Sequence, residues 1–327
     1  MDRIETEAAP RAETVERRIE EIHQSGMVLG DDDRGYSILP MSVTPARGGF
    51  ISDICRACKP EKTLEVGMAW GLSTLHILKA MIEIGSARPG CHVVMDPYQS
   101  STFHNAALRT IRDAGLGALI EFHGEASELT LPRLAEEGRQ FDLAFIDGDH
   151  RYDAVFIDFF FVHRLLKPGG IVIFDDPGFD GVFLTCQFAE TNYGYTVEAE
   201  YPNRVGARLS GRRRSRKRHL LERPSIRAYR KPAAEPARDH LHFTPFFNGF
   251  VTRDRLPRLD PRRIERNRQS HAGLRALGEG DVIAARRAFI SAMRAAPLYP
   301  QTYLRIIRTY LPIGIAARLS GRTVRGR

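Results

Sequence analysis

Between residues 63 and 176, short apolar runs alternate with longer stretches in which apolar residues recur every three or four positions, the pattern of parallel α/β units. The runs predict strands at 63–67, 92–97, 120–123, 141–147 and 170–175. The stretches between them predict helices at 73–84, 103–114, 128–137 and 152–166, most of them closed by glycine. A further helix at 183–192 leads to two more candidate strands, 195–201 and 226–231. Residues 61–250 are therefore expected to form one α/β domain around a doubly wound sheet. Residues 1–60 read as a helical cover with the turn Gly30-Asp31-Asp32-Asp33 in its middle, and the basic stretch 204–222 as an exposed loop or hairpin insertion.

A chain of 327 residues has room for this domain and an appendage, and a hydrophobic fraction of 43% is enough for a sizeable core. No apolar run approaches the roughly 20 residues that cross a bilayer, and residues 1–22 mix Glu and Arg without an apolar segment. The expectation is a cytoplasmic protein without a membrane span. Net charge is +8, with the excess concentrated in 204–231 and after Arg253. Such patches suit anionic glycans, phosphate or peripheral contact of the tail with a membrane surface. No recognised nucleic-acid motif accompanies them, so nucleic-acid binding is not expected. Cys55 and Cys58 stand at metal-ligand spacing, but no second Cys/His pair completes a tetrahedral set, and ordinary reduced thiols are expected.

The chemistry-bearing residues lie where the predicted strands end. Glu65-Val66-Gly67-Met68-Ala69-Trp70-Gly71-Leu72-Ser73-Thr74 turns the first strand into a helix. Small residues at Gly67, Ala69 and Gly71 let backbone approach a cofactor, and Ser73 and Thr74 open a helix whose first N–H groups are unpaired. The order differs from the G-x-G-x-x-G of dinucleotide sites. Asp96 closes the second strand, where a carboxylate can accept ribose hydroxyls, and the turn Gly124-Glu125-Ala126-Ser127 after the third suits the side of an adenine ring.

Together, T-L-E-V-G-M-A-W-G-L-S-T-L, M-D-P-Y-Q, F-I-D-G-D-H-R-Y-D-A-V and L-L-K-P-G-G-I-V-I-F-D-D resemble the methyltransferase-24 group of class I methyltransferases, relatives of catechol and caffeoyl-CoA O-methyltransferases. The resemblance covers about residues 40–250. It implies a mostly parallel, Rossmann-like sheet of seven strands and S-adenosylmethionine held by the first three loops. Glu65, Gly67, Met68, Ala69, Gly71, Ser73, Thr74, Asp96, Glu125, Ala126 and Asp147 are then the donor-site candidates. It also implies, in many members, a divalent cation on the acceptor side.

On that side Asp147 ends the fourth strand and Asp175-Asp176 end the fifth, which brings three carboxylates to one crevice. They repel one another unless neutralised, and Mg²⁺ ligated by Asp147, Asp175 and Asp176 would do this. His150 stands where the resemblance implies a general base, and an imidazole near neutrality suits that task. The expected activity is O-methylation of a glycan or secondary-metabolite hydroxyl. A small phenol or catechol is the alternative acceptor, and metal-free N- or C-methylation remains open. A non-catalytic scaffold of the same fold is the rival from another class, disfavoured because a scaffold has no use for this constellation.

Residues 251–327 read as a basic helical tail, and after Asp260 the composition shifts to Ala, Arg and Leu. Ala285, Phe289, Ala292 and Pro297 are spaced as in the second helix and closing proline of a tetratricopeptide repeat, with a further helix expected at 300–310. Similar tails end some bacterial family 2 glycosyltransferases. One repeat cannot bury a core by itself, so this small helical appendage is expected to pack on the main domain or on a partner, and a homo-oligomer is left open.

Overall fold

In parallel α/β sheets both faces are covered, so strands bury every residue. In the computed structural model, which describes residues 11–202, 223–236, 261–278 and 281–295, this holds for β3 (Thr63–Val66) and β4 (His92–Met95), buried along their whole length. With β5 (Ile120–His123), β6 (Phe141–Ile146) and β7 (Leu166–Asp175) they form the parallel part of the sheet. Antiparallel β8 (Thr196–Tyr201) and β9 (Ile226–Arg230) complete seven strands in the order β5-β4-β3-β6-β7-β9-β8.

The order reverses at β3, whose neighbours β4 and β6 lie on opposite sides, and this opens a crevice at the strands' carboxyl ends. Register then decides what meets there. Val66 pairs with Met95 and Ile146, Met95 with His123, and Ile146 with Phe174. The next residues in each chain segment, Gly67, Asp96, Gly124, Asp147 and Asp175, therefore form one row along the edge.

Alternation along the strands divides the core. Leu143, Phe145, Ile171 and Ile173 pack on one face with α1 (Ala12–Ser25), α2 (Pro45–Cys58), α3 (Leu72–Glu83) and α4 (Ala106–Asp113). Ala144, Ile146, Val172 and Phe174 pack on the other with α5 (Ser127–Glu136), α6 (Tyr152–Leu165) and α7 (Asp180–Tyr193).

Three expectations change. The N-terminal cover is not wholly helical: β1 (Met27–Leu29) and β2 (Gly35–Ser37) form a hairpin around the acidic turn. Three-residue strands are too short for an alternation to register in sequence. The turn is clipped to α4, with Asp31 on Arg112 and Asp33 on Arg109, both at 2.6 Å. Second, α4 begins at Ala106, because His104 and Asn105 hold left-handed backbone and Phe103 packs edge-on against Trp70. Third, β7 begins at Leu166, four residues before the predicted start.

The chain divides into two compact units, Met1–Asn248 and Gly249–Arg327. In the second, α8 (Pro261–Gly278) and α9 (Val282–Ala295) pair around Ala276, Ala285 and Phe289. Phe289 lies so close to Gly273 that a Cβ there would come within 2.5 Å of its ring. Pro297, the expected helix at 300–310 and the insertion 204–222 lie outside the described residues. Nothing in this pair supports the tetratricopeptide likeness. Among the described residues no helix is long and apolar enough to cross a membrane.

Candidate active site

The turn after β3 is shaped by its neighbours. Gly67 has φ +88°, and a Cβ there would sit 2.3 Å from the Asp147 carbonyl oxygen. Glycine is thus required by the adjoining β6 end. Gly71 (φ +80°) caps α3 and packs against Ala107 of α4, where a Cβ would approach within 2.9 Å. No side chain caps α3, so its first-turn N–H groups stand at the crevice without a side-chain acceptor, the arrangement that receives carboxylates or phosphates at helix starts.

The expected donor-site side chains have divided roles. Glu65 is completely buried and accepts hydrogen bonds from Ser73 Oγ (2.5 Å) and Thr74 Oγ1 (2.7 Å), with His92 Nε2 at 2.8 Å and His92 Nδ1 2.8 Å from Thr63 Oγ1. These groups form a closed polar chain that fixes the start of α3 on the sheet, as a buried carboxylate requires. Asp96, 4% exposed, accepts from the backbone N–H groups of Met68 (3.2 Å), Ala69 (2.8 Å) and Tyr98 (2.8 Å) and from Gln99 Nε2 (3.0 Å). Three of these bonds fall on Oδ2 and one on Oδ1, so Oδ1 keeps acceptor capacity for a ligand hydroxyl. Gln99 also donates to the Ala69 carbonyl at 2.7 Å. Gln99 Oε1 and Trp70 Nε1 are buried without a hydrogen-bond partner among the described residues, open valences beside the turn that suit a polar ligand. Glu125 is exposed and paired with Arg133, while Ala126 precedes α5 in extended conformation.

The acceptor side gathers as expected but is neutralised differently. His150 Nε2 lies 3.4 Å from Asp147 Oδ1, and its ring stacks on Phe179 at 4.8 Å between centroids. Burial lowers the His150 pKa, but the nearby carboxylate of Asp147, with Asp176 and Asp149, outweighs it and leaves the value raised. Burial raises the Asp147 carboxyl, against the pull of His150. Asp175 and Asp176 do not stand free for a metal. Arg47 of α2 forms an ion pair with Asp175, a second with Asp176 at 3.0 Å, and a hydrogen bond to the Ser225 carbonyl at 3.3 Å. Burial lowers the Arg47 pKa, but the attraction of Asp175, Asp176 and Asp147 exceeds it and keeps the guanidinium charged. Among the described residues no group of three His, Cys, Asp or Glu side chains is disposed to hold a metal ion. The expected ligand set Asp147, Asp175 and Asp176 does not fit Mg²⁺ as folded, because an arginine already engages two of its three members.

Arg47, Gln99 and Phe179 were not singled out from sequence. Arg47 leaves one trace there: the first turn of α2 follows Thr44, opens on Pro45 and contains no acid, although helix starts favour acids and disfavour cations. The Cys55 and Cys58 thiols are free, and burial pushes both up, Cys58 to about 11, as inert thiols require.

Known proteins resemble this chain in sequence over the same span. A family model described as a methyltransferase domain matches residues 64–177, the span from β3 to the end of β7 and its acidic pair. A protein of Mycobacterium sp. (strain JLS) carrying the name of an O-methyltransferase is 32% identical over 170 residues, covering 50% of this chain and 70% of the relative. The catechol O-methyltransferase of Niastella koreensis is 30% identical over 147 residues, 44% of this chain and 62% of that protein. Among solved structures, the O-methyltransferase from Bacillus cereus superposes with a TM-score of 0.46 at 19% identity, over 68% of this chain and 93% of the other. With its seven strands in this order and a relative matched over most of its length, the chain belongs to the O-methyltransferase-like group of class I S-adenosylmethionine-dependent methyltransferases.

Proposed function

We propose that this enzyme methylates a hydroxyl of a glycan or secondary metabolite, with His150 as the base that accepts the hydroxyl proton. The observation that carries this reading is the pairing of His150 with Asp147, 3.4 Å apart at the carboxyl edge, where Asp147 lies level with Gly67 in register. S-adenosylmethionine supplies a sulfonium methyl that oxygen can attack in line. The chain's part is to hold the attacking oxygen on that line and to take its proton. The imidazolium formed is stabilised by Asp147, and Phe179 fixes the plane of the ring.

Phe179, 53% exposed, and Tyr98, 60% exposed, follow β7 and β4 at the same sheet edge. Exposed aromatic faces suit the flat side of a phenol or the apolar face of a sugar. A small phenol is the second reading, favoured by the likeness to a catechol O-methyltransferase. The Mg²⁺ expected from sequence is not carried into this mechanism, since Arg47 engages the carboxylates. The test is release of S-adenosylhomocysteine by the purified full-length chain against a panel of sugar, phenolic and amine acceptors, with and without chelator. Turnover confined to amines would refute O-methylation.

For the donor side we propose that the Gly67–Gly71 turn and the start of α3 hold S-adenosylmethionine, with Gly124–Ala126 beside the adenine. Asp96 acts by locking this turn through its four hydrogen bonds. Asp96→Ala leaves those donors without an acceptor and is expected to cost about 1.5–3 kcal/mol in stability. Donor affinity should fall tenfold or more with it, by calorimetry and thermal melting. Lost affinity at an unchanged melting temperature would instead assign Asp96 to direct ligand contact.

A further inference from the structure

A helix start is a poor place for a cation, because the first-turn N–H groups carry partial positive charge. In α2 the Thr44 hydroxyl accepts from the Arg47 N–H at 3.4 Å, which fixes the backbone there, and the Arg47 side chain leaves the helix for the sheet edge. Its Nη2 reaches three groups from two distant segments: Asp175 at the end of β7, Asp176 just after it, and the Ser225 carbonyl just before the antiparallel β9. Asp176 is held in left-handed backbone (φ +51°), with its N–H on the same Ser225 carbonyl at 2.9 Å. The Arg47 side chain is 18% exposed and that of Asp175 only 5%. Asp176 is 33% exposed, so the sheltered part of this multiply bonded cluster is the Arg47–Asp175 pair, which solvent would not dissolve as it does a surface contact.

We infer that Arg47 is a positioning residue that takes the place of a divalent cation, holding Asp175 and Asp176 at the acceptor side so that methyl transfer proceeds without a metal. The inference rests on the O-methylation reading and narrows its substrate class. A divalent cation with open positions favours acceptors that offer two adjacent oxygens, whereas a guanidinium already committed to two carboxylates cannot chelate. The acceptor therefore needs a single hydroxyl, and a vicinal pair gives no advantage.

The test uses the full-length chain and Mn²⁺ alone as probe, with free Mn²⁺ read by electron paramagnetic resonance, and calorimetry with S-adenosylmethionine in parallel. The parent is expected to bind the donor, to show no saturable Mn²⁺ binding below millimolar concentration, and to turn over monohydroxy acceptors equally in excess chelator. Arg47→Ala should keep its circular dichroism, acquire Mn²⁺ binding at the vacated carboxylates, and lose roughly ten- to a hundredfold in metal-free turnover. Arg47→Lys, which keeps the charge, should still exclude Mn²⁺. One-to-one micromolar binding of Mn²⁺ by the parent, or turnover abolished by chelator, overturns the inference while donor binding leaves the methyltransferase reading standing. A folded Arg47→Ala that gains no Mn²⁺ affinity also overturns it. Should Arg47→Ala not fold, the parent titration and Arg47→Lys decide. Failure of the parent to bind the donor would instead strike the reading on which the inference rests.

Discussion

Replacing Gly67 with valine is expected to eliminate measurable S-adenosylmethionine binding and to lower the melting temperature sharply. Two independent penalties combine. A β-branched residue at φ +88° occupies a backbone region that L-residues avoid at a cost of roughly 1–2 kcal/mol. Its Cβ would also lie 2.3 Å from the Asp147 carbonyl oxygen and 2.8 Å from the carbonyl carbon, backbone atoms that move only if the end of β6 moves. Such overpacking adds roughly 1–3 kcal/mol. Against a total stability of about 5–15 kcal/mol this is severe, and the strain falls where the donor turn meets the Asp147–His150 segment. Donor and acceptor sides should therefore fail together. Gly67→Ala meets the same Cβ contact without the branch and should be damaged less. Parental donor affinity and melting temperature in Gly67→Val would show that the turn does not position the donor.

His150→Ala should lower kcat by roughly 10²–10⁴, the range lost with a general base, while donor affinity stays near the parent's. The pH profile makes this prediction specific. The pKa of His150 is raised above its ordinary 6.5, so the group keeps its proton to higher pH. A base must be unprotonated, so kcat/KM in the parent should climb with pH through a limb centred above 6.5. That limb should vanish in His150→Ala. Stability runs the opposite way. Because the folded-state pKa is the higher one, the contribution of His150 to folding is fully present below the unfolded value near 6.5 and fades as pH rises through the folded value. The form that reacts is thus the form that stabilises less, and the parent's melting temperature should fall over the interval in which its rate rises. If the same kinetic limb persists in His150→Ala, the base is another group.

Much of the fold can be read from the chain because its signals are local. Buried parallel strands are short apolar runs, and 63–67, 92–97, 120–123 and 141–147 fall within a residue or two of β3, β4, β5 and β6. The active edge is legible for the same reason: a doubly wound sheet places the residue after each strand in one crevice, so the spacing of Gly67, Asp96, Asp147 and Asp175 already implied their meeting. His150 follows Asp147 by three residues and needs no long-range information to be its neighbour.

The partners of those residues could not be read this way. That Glu65 is spent on Ser73, Thr74 and His92, and Asp96 on the turn itself, depends on rotamers and on packing between adjacent strands, which the order of residues does not encode. The same limit explains the metal. Three carboxylates at one edge require positive charge, and that requirement is a property of the sequence. Which group supplies it cannot be read from the order of residues, because the fold brings Arg47 across 128 residues of chain to Asp175. The need for neutralisation follows from electrostatics between strand ends, whereas the identity of the neutralising group depends on how α2 docks over the sheet.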